Sequence, residues 1–246
     1  MARADLLLDL VEAEGRGDRE RFKVEEQQRP DLLRSHRIEP RDRSLLSGPP
    51  GNGKTSVAEA IASELMLPFH VIRYEGVMSS FLGETAAWLD SAFEFARTRR
   101  CVLFFDELDT IAKERSDEHE TGEIKRVVST LLLQVDRLPA HVIFIGATNH
   151  SELLDRAAWR RFQIRAELGA PTRDQATKFF ERLSVRLGGE LGFAPRTLAD
   201  KLAGASFAEL EEFALDVRRR LVLELPGGDM RRIARERLEN RRGQVR

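Results

Sequence analysis

The sequence predicts an α/β protein, a parallel sheet flanked by helices and followed by a small all-helical domain. Three observations predict it. Between Ser44 and about Leu168, short apolar runs alternate with stretches of helical periodicity, the pattern of strands joined by helices. The runs are continuous rather than alternating, so both sheet faces should be covered. Beyond Ala170-Pro171-Thr172 the strand signal stops and only helical segments follow.

Taken in order, residues 1–14 read as a short helix with Leu6, Leu7, Leu10 and Val11 on one side, and Gly15 and Gly17 then loosen the chain. Residues 18–43 are charged, with Pro30 and Pro40 as breakpoints. They hold too few apolar positions for a core of their own. We therefore expect an N-terminal helical segment over 1–30 and an α/β domain over 31–169. Its strands are expected at 45–46, 69–72, 102–105 and 142–145, with a weaker one at 164–168. One intervening helix aligns Val57, Ile61 and Leu65. Another carries Ile124, Val127, Val128, Leu131, Leu132 and Val135 at three- and four-residue steps. The helical domain, 170–246, should contain helices near 172–187, 195–203 and 206–224. Gly188-Gly189, Pro195 and Gly204 break them, Pro226-Gly227-Gly228 ends the third, and a last basic helix runs on.

Composition narrows the function classes. The chain has 246 residues, 41% hydrophobic and 33% charged, which excludes a disordered or fibrous protein. Forty Lys and Arg nearly balance forty-one Asp and Glu, so no global field draws the chain to nucleic acid or membrane. The arginine-rich stretch from Asp229 to Arg246 reads as an exposed helix face. Cys101 is the single cysteine, which excludes an internal disulfide, and it opens an apolar run as a small buried hydrophobe would. Leu6-Leu7-Leu8 is too short and too charged at its flanks for a signal peptide or a membrane span. A cytoplasmic protein is expected, with neither membrane nor nucleic acid as partner. His36, His70, His119, His141 and His150 show no ligand spacing with one another or with Cys101.

Gly48-Pro49-Pro50-Gly51-Asn52-Gly53-Lys54-Thr55 matches G-x-x-x-x-G-K-[ST] and falls between a strand and a helix. In that setting glycines let backbone N–H groups turn inward around phosphate oxygens, and the helix N-terminus adds its dipole. Pro50, Gly51, Asn52, Gly53, Lys54, Thr55 and Ser56 are the candidate nucleotide-binding residues. Lys54 would meet the β- and γ-phosphates of ATP and Thr55 would coordinate Mg²⁺. A second apolar strand ends in Asp106-Glu107, at the edge where α/β proteins place ligands. Asp106 would hold the metal through water, and Glu107 would polarise the attacking water. Asp109 is assigned a structural or subunit-contact role.

Three further segments make the pattern specific. Leu103-Phe104-Phe105-Asp106-Glu107-Leu108-Asp109 resembles the Walker B segment of AAA proteins. Ile145-Gly146-Ala147-Thr148-Asn149 resembles their sensor 1, and Leu154-Asp155-Arg156-Ala157-Ala158-Trp159-Arg160-Arg161-Phe162 the end of their second region of homology. The chain thus resembles the AAA branch of the AAA+ ATPases, over roughly residues 30–225. That resemblance implies the sheet of a P-loop NTPase with a helical lid, and Mg²⁺-dependent ATP hydrolysis in a ring that is a homohexamer. It implies that Asn149 contacts the γ-phosphate or the attacking water, and that Arg160 and Arg161 reach the ATP of a neighbouring subunit. The family commonly separates its two arginines with Pro-Gly; here they are adjacent, which leaves open which one reaches across.

Ser80-Phe81-Leu82-Gly83-Glu84 resembles the pore loop of substrate-threading members, in which Phe81, Leu82 and Gly83 would grip an unfolded or tagged polypeptide. The competing reading packs Phe81 into the core. Residues Ser116 to Thr121 are a candidate second channel loop. Gly204-Ala205-Ser206 resembles the lid segment near the nucleotide, which adds Gly204 and Ala205 to the binding residues; it reads equally as a C-cap followed by an N-cap. The resemblance implies a protein-remodelling motor that serves a separate effector, conceivably a protease. The rivals are a nucleic-acid-directed AAA+ ATPase and a regulatory module that holds ATP without turning it over.

Overall fold

In the computed structural model, which describes residues 24–73, 82–108, 130–154 and 159–244, each apolar run becomes a strand. They are β1 (Arg43–Ser47), β2 (Phe69–Arg73), β3 (Cys101–Asp106), β4 (Val142–Thr148) and β5 (Ile164–Glu167). They form one sheet in the order β2-β3-β4-β1-β5 with every neighbouring pair parallel. Burial follows position in the sheet. Every residue of β4 is buried, and so is β3 up to Asp106, whereas β5 at the edge alternates buried and exposed.

The connectivity makes one end of the sheet chemically useful. From β1 the chain crosses to β2 at the far edge; from β4 it crosses to β5 on the other side of β1. Connections that leave adjacent strands in opposite directions open a crevice at the strands' carboxyl ends. Register brings those ends level. Ser47 is opposite Thr148, and Phe105 is opposite Gly146, so Asp106 stands one residue further along, beside Ala147.

The chain divides into two compact units. One comprises the chain up to Pro49 and from Lys54 to Leu168; the other comprises Pro50–Gly53 and the chain from Gly169 onward. In the first, α2 (Lys54–Glu64) buries Val57, Ala58 and Ile61. Helix α3 (Leu82–Arg97) turns Leu89, Phe93 and Ala96 into the core. Phe144 of β4 lies between Phe93 and Phe162, with ring centroids 6.3 and 6.1 Å away. Of the helix expected through Ile124 and Val135, residues 130–136 are described, and they bury Leu131, Leu132 and Val135. Ahead of β1, helix α1 (Pro30–Ser35) buries no residue. Just before it, Gln27 Nε2 donates to the Arg41 carbonyl at 3.0 Å and the Arg41 amide donates to Glu26 at 2.9 Å. This part of the N-terminal segment braces the entry to the sheet. The helix expected over 1–14 lies outside the described residues.

The second unit holds α4 (Arg173–Arg186), α5 (Pro195–Lys201), α6 (Phe207–Leu223) and α7 (Met230–Gln244). Its core is built on Phe179, Phe180, Leu183, Leu198, Leu210, Phe213, Val217 and Ile233. Two starts are written in the sequence. Thr172 and Ser206 each close a capping box, with Gln175 and Glu209 respectively, satisfying first-turn N–H groups that the helix cannot satisfy itself. Several arginines of the basic tail pair along the surface, Arg232 with Glu236 and Arg237 with Asp216. Among the described residues no helix is long and apolar enough to cross a membrane.

Candidate functional site

The site begins with the turn after β1. Gly48, Gly51 and Gly53 have φ of 132°, 78° and 86°, left-handed values that glycine adopts without a Cβ penalty. At Gly48 the constraint is doubled, because a Cβ would stand 2.2 Å from the Leu168 carbonyl oxygen. The turn leads directly into the N-terminus of α2. Left-handed glycines followed in the chain by a helix N-terminus are the local pattern that suits an anion.

Lys54 is the first residue of α2 and is only 8% exposed. A buried ammonium must be matched by acceptors, and at least three are present among the described residues. Nζ donates to the Gly48 carbonyl at 2.6 Å, the Pro49 carbonyl at 3.1 Å and Asn149 Oδ1 at 2.7 Å. The last of these joins residues 95 positions apart and brings the glycine turn and the end of β4 to one point. Thr148, just before Asn149, is buried, and its hydroxyl accepts from the His150 amide at 3.0 Å. Thr55 and Ser56 are half-buried on the first turn of α2.

Asp106 and Glu107 lie at the end of β3, on the strand beside β4. Asp106 Oδ1 accepts from the Glu107 amide at 3.0 Å. Glu107 has φ of 57°, a left-handed conformation that costs a non-glycine residue of order 1–3 kcal/mol. Such strain persists where surroundings over-determine a residue, and it clusters at functional positions. Asn52, 4% exposed, keeps its Oδ1 without a hydrogen-bond partner among the described residues. A buried acceptor of that kind marks a place where a donor belongs. Within the first unit, the left-handed Gly48, the buried Lys54 amine, the Thr55 hydroxyl and the Asp106 carboxylate follow the carboxyl ends of β1 and β3, a donor set that fits a nucleotide triphosphate with a divalent cation.

The remaining expected residues fall elsewhere. Arg160 is exposed at a turn. Arg161 instead binds Asp136, with Nε and Nη2 each 2.9 Å from Oδ2. Leu82 and Gly83 are not loop residues: they open helix α3. Phe81 lies outside the described residues, as do Asp109, the stretch from Ser116 to Thr121, and Asp155 to Ala158. Gly204 and Ala205 belong to the helical unit, where Gly204 has φ of 83° and the Ala205 amide donates to the Leu202 carbonyl at 3.1 Å. In the same unit the Ala208 amide, in the first turn of α6, donates to the Gly51 carbonyl at 3.0 Å.

Sequence reasoning missed Asp136 and the buried Asn52 carbonyl. Asp136 ends a helical stretch, and nothing in its spacing distinguishes it from a solvated surface acid. Asn52 was counted as part of the loop, but its orphaned oxygen is visible only in three dimensions.

Comparison with known proteins points the same way. Residues 44–170 match the model of the ATPase family associated with various cellular activities (AAA). The chain is 37% identical to the AAA family ATPase y4kL of Sinorhizobium fredii over 227 residues, covering 91% of this chain and 68% of that protein. It is 42% identical over 148 residues to the peroxisomal ATPase pex6 of Schizosaccharomyces pombe, covering 57% of this chain and 16% of the relative. A protein of Methanothermobacter marburgensis named as a 26S proteasome regulatory subunit homolog is 31% identical over 200 residues, covering 79% of this chain and 52% of its own length. The latter two relatives are thus considerably longer than the part this chain matches.

Proposed function

The chain belongs to the AAA family of ATPases, and from that premise we propose that it is a Mg²⁺-dependent motor that works as a homohexameric ring on protein substrates. The observation that carries the ATP site is the Lys54–Asn149 hydrogen bond of 2.7 Å. It unites the glycine turn with the end of β4, next to the strand that ends in Asp106 and Glu107.

The residues divide the work. Backbone N–H groups from Gly51 to Lys54 cradle phosphate, and each oxygen now held by Lys54 Nζ is one that a phosphate oxygen can replace. The Thr55 hydroxyl and Asp106 carboxylate hold Mg²⁺, which supplies neutralisation of phosphate charge. Glu107 orients and polarises water, and Asn149 fixes that water or the terminal phosphate. The exposed Arg160 suits a residue that acts on a neighbouring subunit, since a guanidinium delivered in trans stabilises charge on the transferring group.

Support for a protein substrate comes from the resemblance of the Phe81-Leu82-Gly83 segment to a substrate-gripping loop, and from the likeness to a proteasome regulatory subunit homolog. That relative also favours a separate effector such as a protease. Two variants test the nucleotide site. Lys54→Ala should weaken ATP binding by several kcal/mol, because it removes a charge-assisted contact. Glu107→Gln should bind ATP normally and lose about 10²–10⁴ in turnover. Tight ATP binding by the first variant, or undiminished hydrolysis by the second, refutes the assignment.

A further inference from the structure

The two adjacent arginines are treated differently by the fold. Asp136 Oδ2 accepts from Arg161 Nε at 2.9 Å, and Nη2 of the same guanidinium is 2.9 Å from that oxygen as an ion pair. The other side of Asp136 is held by Arg43: Nη1 is 3.6 Å from Oδ1, and Nη2 donates to the Asp136 carbonyl at 3.2 Å. Arg43 opens β1, so the carboxylate is tied to the sheet as well as to Arg161. The segment around it is fastened at nearly every residue. Arg165 donates to the Trp159 carbonyl at 2.7 Å, and its guanidinium lies 5.1 Å from the Trp159 ring centroid. Phe162 is buried against Phe144. Gln163 Oε1 accepts from the Asp42 and Arg43 amides at 2.9 and 3.0 Å. Arg160 is exposed, and unlike Gln163 and Arg165, which are exposed as well, it is tied by no ion pair or hydrogen bond to the described residues.

We infer that Asp136 is a positioning residue for catalysis in trans: it engages Arg161 within its own subunit and so aims Arg160 alone at the neighbour. This rests on the ring reading above. For Arg161 to reach outward it would have to give up a charge-assisted hydrogen bond and an ion pair to a carboxylate already held by Arg43, whereas among the described residues Arg160 has no such contact to give up. A planar guanidinium with two of its nitrogens against one carboxylate oxygen is also held in orientation, which a lysine could not reproduce. The adjacency of the two arginines thus becomes a division into an anchor and a reaching group.

Mixed assemblies test both levels separately. Subunits carrying Lys54→Ala keep their arginines and lack a working ATP site; subunits carrying Arg160→Ala keep the ATP site and lack the reaching group. Each alone should be inactive with Mg-ATP, and mixing them should restore turnover. No restoration sinks the ring reading itself. With restoration in hand, Asp136→Asn is added to the Lys54→Ala subunit. The restored kcat should fall at least threefold with the KM for ATP unchanged, because the ATP site is on the other subunit. Asp136→Glu should recover part of the loss. Arg161→Gln on the same subunit, which removes the contact from its other end, should give the same partial loss and serves if Asp136→Asn fails to fold. Unaltered kcat with either variant overturns the inference, and so does complete loss with Arg161→Gln, which would make Arg161 the reaching group.

Discussion

At the scale of single residues, the carboxyl end of β3 shows how a site stores strain. Glu107 sits at φ of 57°, where an L-residue is disfavoured by roughly 1–2 kcal/mol and glycine is not. Glu107→Gly should therefore be more stable than Glu107→Gln by about 1 kcal/mol, while both variants lose turnover. Denaturant midpoints of the two proteins check this; a less stable glycine variant would show that the turn is not strained. Cys101 offers a second residue-level test. It is fully buried at the start of β3, and desolvation raises its thiol pKa despite the opposing charge of Arg99. The reactive thiolate is thus disfavoured and screened from solvent. A thiol reagent at neutral pH should label the folded protein far more slowly than the unfolded one, and labelling at equal rates would contradict the burial.

At the scale of elements, the strands and helix starts were legible because each is specified locally. Continuous apolar runs reported β3 and β4 as doubly covered strands, and both are buried as that pattern requires. The Thr172 and Ser206 capping boxes mark helix starts within a residue. Replacing Ser206 by Ala should cost about 1 kcal/mol of stability in thermal or denaturant unfolding; no loss would show the cap to be dispensable. Contacts that close over long sequence separations are not carried by local periodicity. The Lys54–Asn149 bond, across 95 residues, was in reach only through the family resemblance, which assigns both side chains to the γ-phosphate. The Arg161–Asp136 pair, across 25 residues, had no such guide. The Phe81-Leu82-Gly83 segment shows a different limit: a loop was expected, yet Leu82 and Gly83 are the first residues of α3. The sequence has Glu84 in that first turn and no breaker before Arg97, which favours helix from this point.

At the scale of the whole molecule, the proposed ring ties the carboxyl ends of β1, β3 and β4 to a neighbouring subunit. A site finished by Arg160 of a neighbour should show turnover per subunit that falls on dilution, as the assembly dissociates. Turnover proportional to concentration down to the monomer would remove the need for a neighbour. The central claim is more local: the glycine turn and the acidic end of β3 serve one nucleotide and one metal. Calorimetric titration of ATP into the wild-type protein and into Asp106→Asn, with and without Mg²⁺, addresses it directly. The account predicts that Mg²⁺ strengthens ATP binding to the wild type and that this gain is largely lost in Asp106→Asn. An equal gain in both proteins would contradict it.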